Sequence, residues 1–399
     1  MQYNISATIN DFERFVEFNE SEKPILSARQ GVFGKKDSFK LNMLLENKKE
    51  VNAPNYNQDQ YPMIDLMFSL SLAGRLYIKA SDEKGRLKLL KTPNLESFHS
   101  LNEYEKYVFL LQTYWTKYAF EEKFDRWINI TAFYNILVEI ANAEDGQKVV
   151  KDEQYSSYEL YSEGADFFHQ LKFFGFGELE LVEGAKGKYQ DTIKAFYPNT
   201  FGIEISKFLL MKALLYWNRN DLKFLPSVEG MKALPKGEKQ SFDVFKDAFH
   251  DKFVINTVTA SGETDRSGVY SFKISLSKTV WRKISLSHKH TLGNLHRAIQ
   301  DAFCFDDDHL YAFYIGGNQR TGKPIYCEDA ENEGATVEET SIADLELYKG
   351  QKMVYLFDFG DEWKFDVELM KIDKEVPLPL RPIIIESKGE APEQYGDGW

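Results

Sequence analysis

The stretch "VWRKISLSHKHTLGNLHRAIQDAFCFDDDHLYAFYIGG", residues 280–317, decides the fold class of the C-terminal part of the chain. Its opening segment alternates apolar and polar side chains, as a half-buried strand does, and "GVYSFKISLS" just before it, 268–277, has the same period. Thr291 then stands where a helix N-cap belongs, and Leu292, Leu295, His296, Ile299, Ala302 and Phe303 recur on one helical face. Strands follow in "HLYAFYIGG", "MVYLFDFG" and "WKFDVELMKI". The order β-β-α-β-β-β predicts an α+β domain, a β-grasp-like mixed sheet with one packed helix, over residues 250–399.

Upstream the pattern becomes mainly helical. Residues 1–55 form an N-terminal segment that runs into "NAPNYNQDQYP", with Asn and Pro clustered as in a connector. Residues 56–240 contain two winged-helix-like units. In the first, a helix opens near Pro62, stops near Gly74 and is followed by two short strands joined by "DEKG". The second repeats that outline about a hundred residues later, with a helix in "ADFFHQLKF" (165–173), a stop at Gly175, two strands and a helix after Asn199-Thr200. Between them, 101–143 has apolar residues at spacings of three and four. A groove-reading helix needs Arg, Lys, Asn or Gln aimed at base edges. "YPMIDLMFSLSLA" (61–73) has no Lys or Arg, and 165–173 offers only His169, Gln170 and Lys172, so both helices read as buried. A linker is expected over 228–252, where Pro, Gly and charged residues gather.

Composition sets outer bounds. The 399 residues are 43% hydrophobic and 28% charged, which is the profile of a globular chain of several domains. The formal charge of −13 is unevenly spread: residues 301–399 hold 23 acidic and 9 basic side chains. Such a surface repels phosphate backbones, leaving only the strip from Lys273 to Arg297 for nucleic acid, with Lys273, Arg282, Lys283 and Arg297 as its candidates. Two cysteines, Cys304 and Cys327, cannot make a disulfide framework. The opening residues lack a signal-peptide pattern and no apolar run reaches membrane-helix length, so the expectation is a cytoplasmic protein without a membrane partner.

The residues of the C-terminal domain carry a resemblance. Val280-Trp281-Arg282, Leu295-His296 with Ile299-Gln300, Asp307-Asp308-His309-Leu310, and Asp358-Phe359-Gly360-Asp361 with Trp363 occur in the order and spacing of the plasmid pRiA4b ORF-3-like family, over about residues 250–399. The resemblance implies winged-helix-like regions upstream and a setting in mobile elements or other accessory functions. It also implies a further helix after a Pro-Pro-Glu-Asp-like turn, a pattern from which "GEAPEQYGDGW" departs.

Candidate chemistry gathers in the same place. His296, His309, Asp358 and Asp361 supply the imidazole and carboxylate donors that Zn, Mn or Mg sites use, with Asp307, Asp308 and Trp363 beside them in the motif. No cofactor is firmly predicted; a divalent metal is the one these residue types admit. The bland reading has His296 bonded to the sheet, Asp307 or Asp308 holding turn amides, and Asp358 to Glu362 forming a hairpin turn. "GNQRTGK" (317–323) has phosphate-loop spacing, but Pro324 replaces the metal-binding hydroxyl and no helix follows, so no nucleoside triphosphate is expected. The acidic run "CEDAENEGATVEET" (327–340) reads as a solvated insertion. The leading expectation is a non-catalytic module with a protein partner or a nucleic acid; the competing one is a metal-dependent hydrolase or nuclease.

Overall fold

The computed structural model describes residues 5–27, 30–82, 86–120, 130–149, 165–182, 193–218, 238–249, 252–258, 266–316, 319, 323–330, 335–345 and 347–394. Most of the loop at 317–323 lies outside these residues, as do residues 228–237, 250 and 251 of the linker expected at 228–252. The chain forms two compact units. The first comprises Met1–Pro24, Phe33–Ile78 and Leu90–Ser261; the second comprises Ile25–Val32, Lys79–Leu89 and Gly262–Trp399. The protein is α+β, helical in its N-terminal half and built on a sheet at its C-terminal end. Among the described residues no helix is long and apolar enough to cross a membrane.

The helical half contains α1 (Ser6–Glu22), α2 (Lys35–Asn42), α3 (Pro62–Ala73), α4 (Pro93–His99), α5 (Glu103–Lys117), α6 (Ile130–Asn142), α7 (Ala165–Phe173), α8 (Thr200–Met211) and α9 (Glu238–Asp247), with the hairpins β1 (Tyr77–Ser81)/β2 (Leu87–Lys91) and β3 (Gly177–Leu181)/β4 (Ile193–Pro198). Its core is aromatic: Phe12 meets Phe98 edge-on at 5.4 Å, and Trp115 stacks on Trp217 at 4.5 Å. Met63, Ile64, Met67 and Phe68 of α3 and Phe167, Phe168 and Leu171 of α7 are buried, and the two helices pack against each other. Their apolar faces are thus consumed by the core.

The two helix-hairpin units repeat bond for bond. After α3, the N–H groups of Gly74, Arg75 and Leu76 donate to the carbonyls of Leu70, Leu72 and Ser71; after α7, those of Phe174, Gly175 and Phe176 donate to Gln170, Lys172 and Leu171. Each hairpin then closes alike. Thr92 N–H donates to Leu76 O and its hydroxyl to Arg75 O, while Asn199 N–H donates to Phe176 O and its side-chain amide to Gly175 O. Thr92 caps α4 and Asn199 caps α8. The residue that turns the chain is left-handed in both, Arg75 at φ 53° and Gly175 at φ 76°. Only the second copy has the residue without a Cβ penalty there.

The second unit carries a seven-stranded sheet built from β5 (Val269–Ser275), β6 (Trp281–Ser287), β7 (Tyr311–Ile315), β8 (Lys323–Tyr326), β9 (Lys352–Phe357), β10 (Trp363–Asp373) and β11 (Ile383–Lys388), in the order β11-β6-β5-β10-β9-β7-β8. Neighbouring strands are all antiparallel, simpler than the mixed sheet expected from the sequence. The sequence cue to a mixture was the helix α10 (Leu292–Phe303) between β6 and β7. That crossover joins strands of the same direction, but β5, β10 and β9 lie between them. Thr291 caps α10 in a reciprocal box with Asn294. Leu295, Ile299 and Phe303 bury against Phe272, Ile284, Phe365 and Val367, each large side chain contributing about 1.5–3 kcal/mol. β10 alternates buried Phe365, Val367 and Leu369 with exposed Lys364 and Asp366, so one sheet face meets α10, while the opposite face is open along β10 and buried at Ala312, Tyr314 and Leu356 of β7 and β9.

A carboxylate ties the segment leaving the helical unit to α5. Glu105 is 3% exposed; its Oε2 accepts the Asn102 N–H at 3.0 Å, and its Oε1 accepts Ile255 and Asn256 N–H at 3.0 and 2.7 Å. Burial pushes the carboxyl pKa up, but these backbone donors outweigh it and hold it below the ordinary value of 4.5.

A Cβ on Gly202 would sit 1.9 Å from Phe176 O, backbone that cannot swing aside, so Gly202→Ala should lose about 2–3 kcal/mol in urea unfolding while Arg75→Gly is neutral or gains up to about 1 kcal/mol. Glu105→Gln would turn an amide toward the Asn102 N–H and should cost roughly 1.5–3 kcal/mol at neutral pH. Because the folded pKa is depressed, that stabilisation is full above pH 4.5 and is lost as pH falls through the folded value, so the melting curves of wild type and variant should converge below pH 4.5.

Candidate functional site

The apolar spacing of α10 leaves His296 on the flank of the buried face, and the ring is 1% exposed. It lies parallel to the Tyr311 ring of β7 at 3.6 Å. Cys304 ends the helix in a left-handed conformation, φ 57°, which turns the chain so that Asp307 comes back to His296. Nε2 lies 2.7 Å from Asp307 Oδ1, and Nδ1 lies 2.7 Å from the Tyr355 hydroxyl of β9. Gln300, one turn further along α10, donates from Nε2 to that hydroxyl at 2.9 Å.

The electrostatics assign the protons. Burial lowers the His296 pKa, opposed by Asp307, and the balance stays below the ordinary value, so the ring is neutral at pH 7. Burial also holds the Tyr355 phenol protonated, well above its usual range. Nε2–H therefore donates to Asp307, and Nδ1 accepts from Tyr355, whose oxygen accepts from Gln300. Both ring nitrogens are engaged by protein. A His–Asp pair can serve as a general base only if its second nitrogen meets a nucleophile accessible to substrate. Here that place is taken by a buried tyrosine.

His309 belongs to a separate set. Its Nε2 is 3.4 Å from Asp358 Oδ2 and 3.6 Å from Asp308 Oδ1, half-exposed beside Phe357. Asp358 is left-handed, φ 56°, and its Oδ1 accepts the N–H groups of Gly360 and Asp361, closing the β9–β10 turn. Asp361 exposes its side chain and enters the turn through its N–H. Trp363 is buried, edge-on to Phe305 at 4.8 Å. The structure thus joins His296 to Asp307, and His309 to Asp308 and Asp358. It does not gather the four candidate ligands His296, His309, Asp358 and Asp361 around one point. Among the described residues no group of three or more His, Cys, Asp or Glu is placed to hold a metal ion.

The basic strip is divided as well. Lys273 and Lys283 are cross-strand neighbours on the open sheet face, with their ammonium groups 5.0 and 5.4 Å from the Trp281 ring, and Lys283 also pairs with Glu386. Arg297 is exposed on α10, in the layer on the other side of the sheet. Arg282 is not at the surface: strand alternation points it inward, where it lies over Phe303 and donates to the carbonyls of Ala302, Lys388 and Gly389. It clamps the end of β11 to the core and has no face left for phosphate.

One surface was missed in the sequence. Val376, Leu378, Leu380, Ile383, Ile384 and Ile385 are all exposed, Leu380 at 96% and the three isoleucines at 44–53%. They form the edge strand β11 and the proline-bearing segment before it. Three consecutive isoleucines carry the signature of a buried strand, so sequence alone hides them inside. Tyr311, Tyr355 and Gln300, the partners of His296, also escaped identification as site residues, since nothing local marks an aromatic on a strand as a histidine ligand.

The comparisons with known proteins concern this unit. No curated protein matches the chain. A crystal structure of a protein of unknown function from Methanosarcina mazei Go1 is 30% identical, over 31% of this chain and 71% of that one, with a TM-score of 0.26. Residues 268–399 match the family model described as plasmid pRiA4b ORF-3-like protein. That C-terminal domain, whose helix carries His296 and whose turns carry Asp307-Asp308-His309 and Asp358, belongs to the pRiA4b ORF-3-like family.

Proposed function

We propose that this chain is a non-catalytic accessory module that binds protein through the outer edge of its C-terminal sheet. The observation that carries the reading is the run of exposed apolar side chains from Val376 to Ile385, ending on β11. β11 stands last in the sheet, and among the described residues its outer edge pairs with no strand. Sheet edges are ordinarily blunted by charge, proline or cover, and a contiguous apolar patch of this kind marks an interaction surface. Pro379 and Pro382 precede β11, its register against β6 is irregular between Ile384 and Glu386, and Glu386 and Lys388 lie in its second half, but its first three residues are isoleucine. An extended protein segment added there would gain ladder hydrogen bonds from the edge and apolar contacts from the isoleucines. Nucleic acid fits this surface poorly, because the surrounding quarter of the chain is acidic. The family description supports a setting on plasmids or other mobile elements.

A photo-reactive phenylalanine in place of Ile384, irradiated in a native extract, should give protein adducts that the same group at Lys364, exposed on β10, does not give. Equal adducts at both positions, none at 384, or adducts to nucleic acid alone would remove the reading.

The competing reading, a metal-dependent hydrolase or nuclease, has in its favour only that the half-exposed His309 lies near Asp308 and Asp358, three residues that are not placed to hold a metal ion. Elemental mass spectrometry on untagged protein purified without chelator should find no metal near one equivalent. Stoichiometric Zn or Mn in the wild type, lost in a folded His309→Ala variant, would move the assignment to that reading.

A further inference from the structure

A cleft of about 600 Å³ lies between α1 and α2 of the first unit. Phe18, Phe39, Met43 and Leu44 give it an apolar lining, and the charged side chains of Arg14, Glu17, Glu22 and Lys40 stand around that lining. We propose that the cleft is a binding site for a small organic cation with an apolar body, of the class of lipophilic amines and quaternary ammonium or phosphonium compounds.

Size and shape favour a compact molecule. The volume falls in the range of about 300–1,000 Å³ that small-molecule sites occupy. Ion pairs between the two helical segments close the cleft at both ends: Arg14 meets Glu46 at 3.1 Å, and Lys40 meets Glu22 at 3.3 Å. Between Arg14 and Glu22, α1 rises only about 12 Å. A docked helix needs a groove that is open at its ends, whereas a compact ligand fits between the two pairs. The cleft is also preformed. Asp11, fully buried, accepts the N–H groups of Glu46 and Asn47 at 2.6 and 3.0 Å, which holds the segment after α2 against α1.

The chemistry of the walls selects the charge. Met43 and Leu44 are 49% and 52% exposed, so an apolar body placed against them removes their surface from water. Aromatic rings such as Phe18 and Phe39 attract cations, and the flexible thioether of Met43 adapts to ligands of different outline. Both cationic side chains of the cleft are already held, Arg14 by Asp11 and Glu46 and Lys40 by Glu22. Glu17, exposed on α1 between these pairs, has no ion pair among the described residues. Two cations, Arg14 and Lys40, therefore stand against four carboxylates, Asp11, Glu17, Glu22 and Glu46. An anionic ligand has to break an existing pair to find a partner. A cation meets Glu17 with every pair intact, in a cleft whose net negative charge concentrates it.

Isothermal titration calorimetry on the full chain tests the site with tetraphenylphosphonium and tetraphenylborate, ions of one shape and opposite charge. Wild type should bind the phosphonium saturably at one site and the borate at least roughly tenfold more weakly. Glu17→Lys should weaken phosphonium binding by roughly tenfold. Met43→Lys and Leu44→Lys, which put an ammonium into the apolar lining, should each abolish saturable binding. All three side chains are exposed, so circular dichroism and melting should stay those of the wild type. Phosphonium binding that Glu17→Lys and both lining variants leave intact belongs to another acidic surface of the chain and overturns the inference. Equal affinity for the two ions, or no saturable binding of the phosphonium up to about 1 mM, overturns it as well.

Discussion

The second unit depends on the burial of one helix face across an antiparallel sheet. Leu295, Ile299 and Phe303 of α10 lie over the buried side chains of β5, β6, β9 and β10, and the capping box at Thr291 fixes where the helix starts. Once that start is fixed, the helical period fixes the rest. It places His296 against Tyr311 and Tyr355, sets Gln300 one turn on, and ends at Cys304, where the left-handed turn returns Asp307 to the imidazole. The polar chain from Gln300 through Tyr355 and His296 to Asp307 therefore follows from helix packing. It is a buried network that orients a core, with a carboxylate at its outer end.

Arg282 shows the same dependence from the opposite side. A basic residue in an alternating strand looks like part of a wet cationic face when only its neighbours Lys273 and Lys283 are considered. Strand parity sends it inward, where four carbonyl groups and an aromatic ring satisfy a charge that would otherwise be costly to bury. Its contribution is to hold β11, the strand at which the sheet meets its surroundings. The surface proposed to act and the residue that supports it are thus joined through hydrogen bonds to main-chain oxygen, which a sequence does not display.

The helical unit illustrates a different economy of design. Two copies of one helix-hairpin connection, a hundred positions apart, close with the same backbone hydrogen bonds although few side chains agree. What is repeated is the requirement that the carbonyls at a helix end find donors and that a left-handed residue turn the chain into a strand. Gly175 meets that requirement without strain and Arg75 meets it with some. The apolar faces of α3 and α7 are buried in each other's company, and this explains why neither has the Lys and Arg content of a groove-reading helix.

The sequence by itself determined the α+β class, the span and cap of α10, the strands that follow it, the repeat near Pro62 and Ala165, and the family of the C-terminal domain. Each of these is a local or periodic property: the 3.6- and 2-residue alternations, the Thr291 cap and the motif spacing are readable without knowing what lies opposite. Tertiary structure decided which of the His and Asp residues meet, that Arg282 turns inward, that every sheet pairing is antiparallel, and that Ile383, Ile384 and Ile385 face outward. These depend on strand order and on edges. A sequence states that a residue is apolar or basic, but whether a strand is central or last in its sheet is set by partners up to a hundred residues away, and burial follows from that.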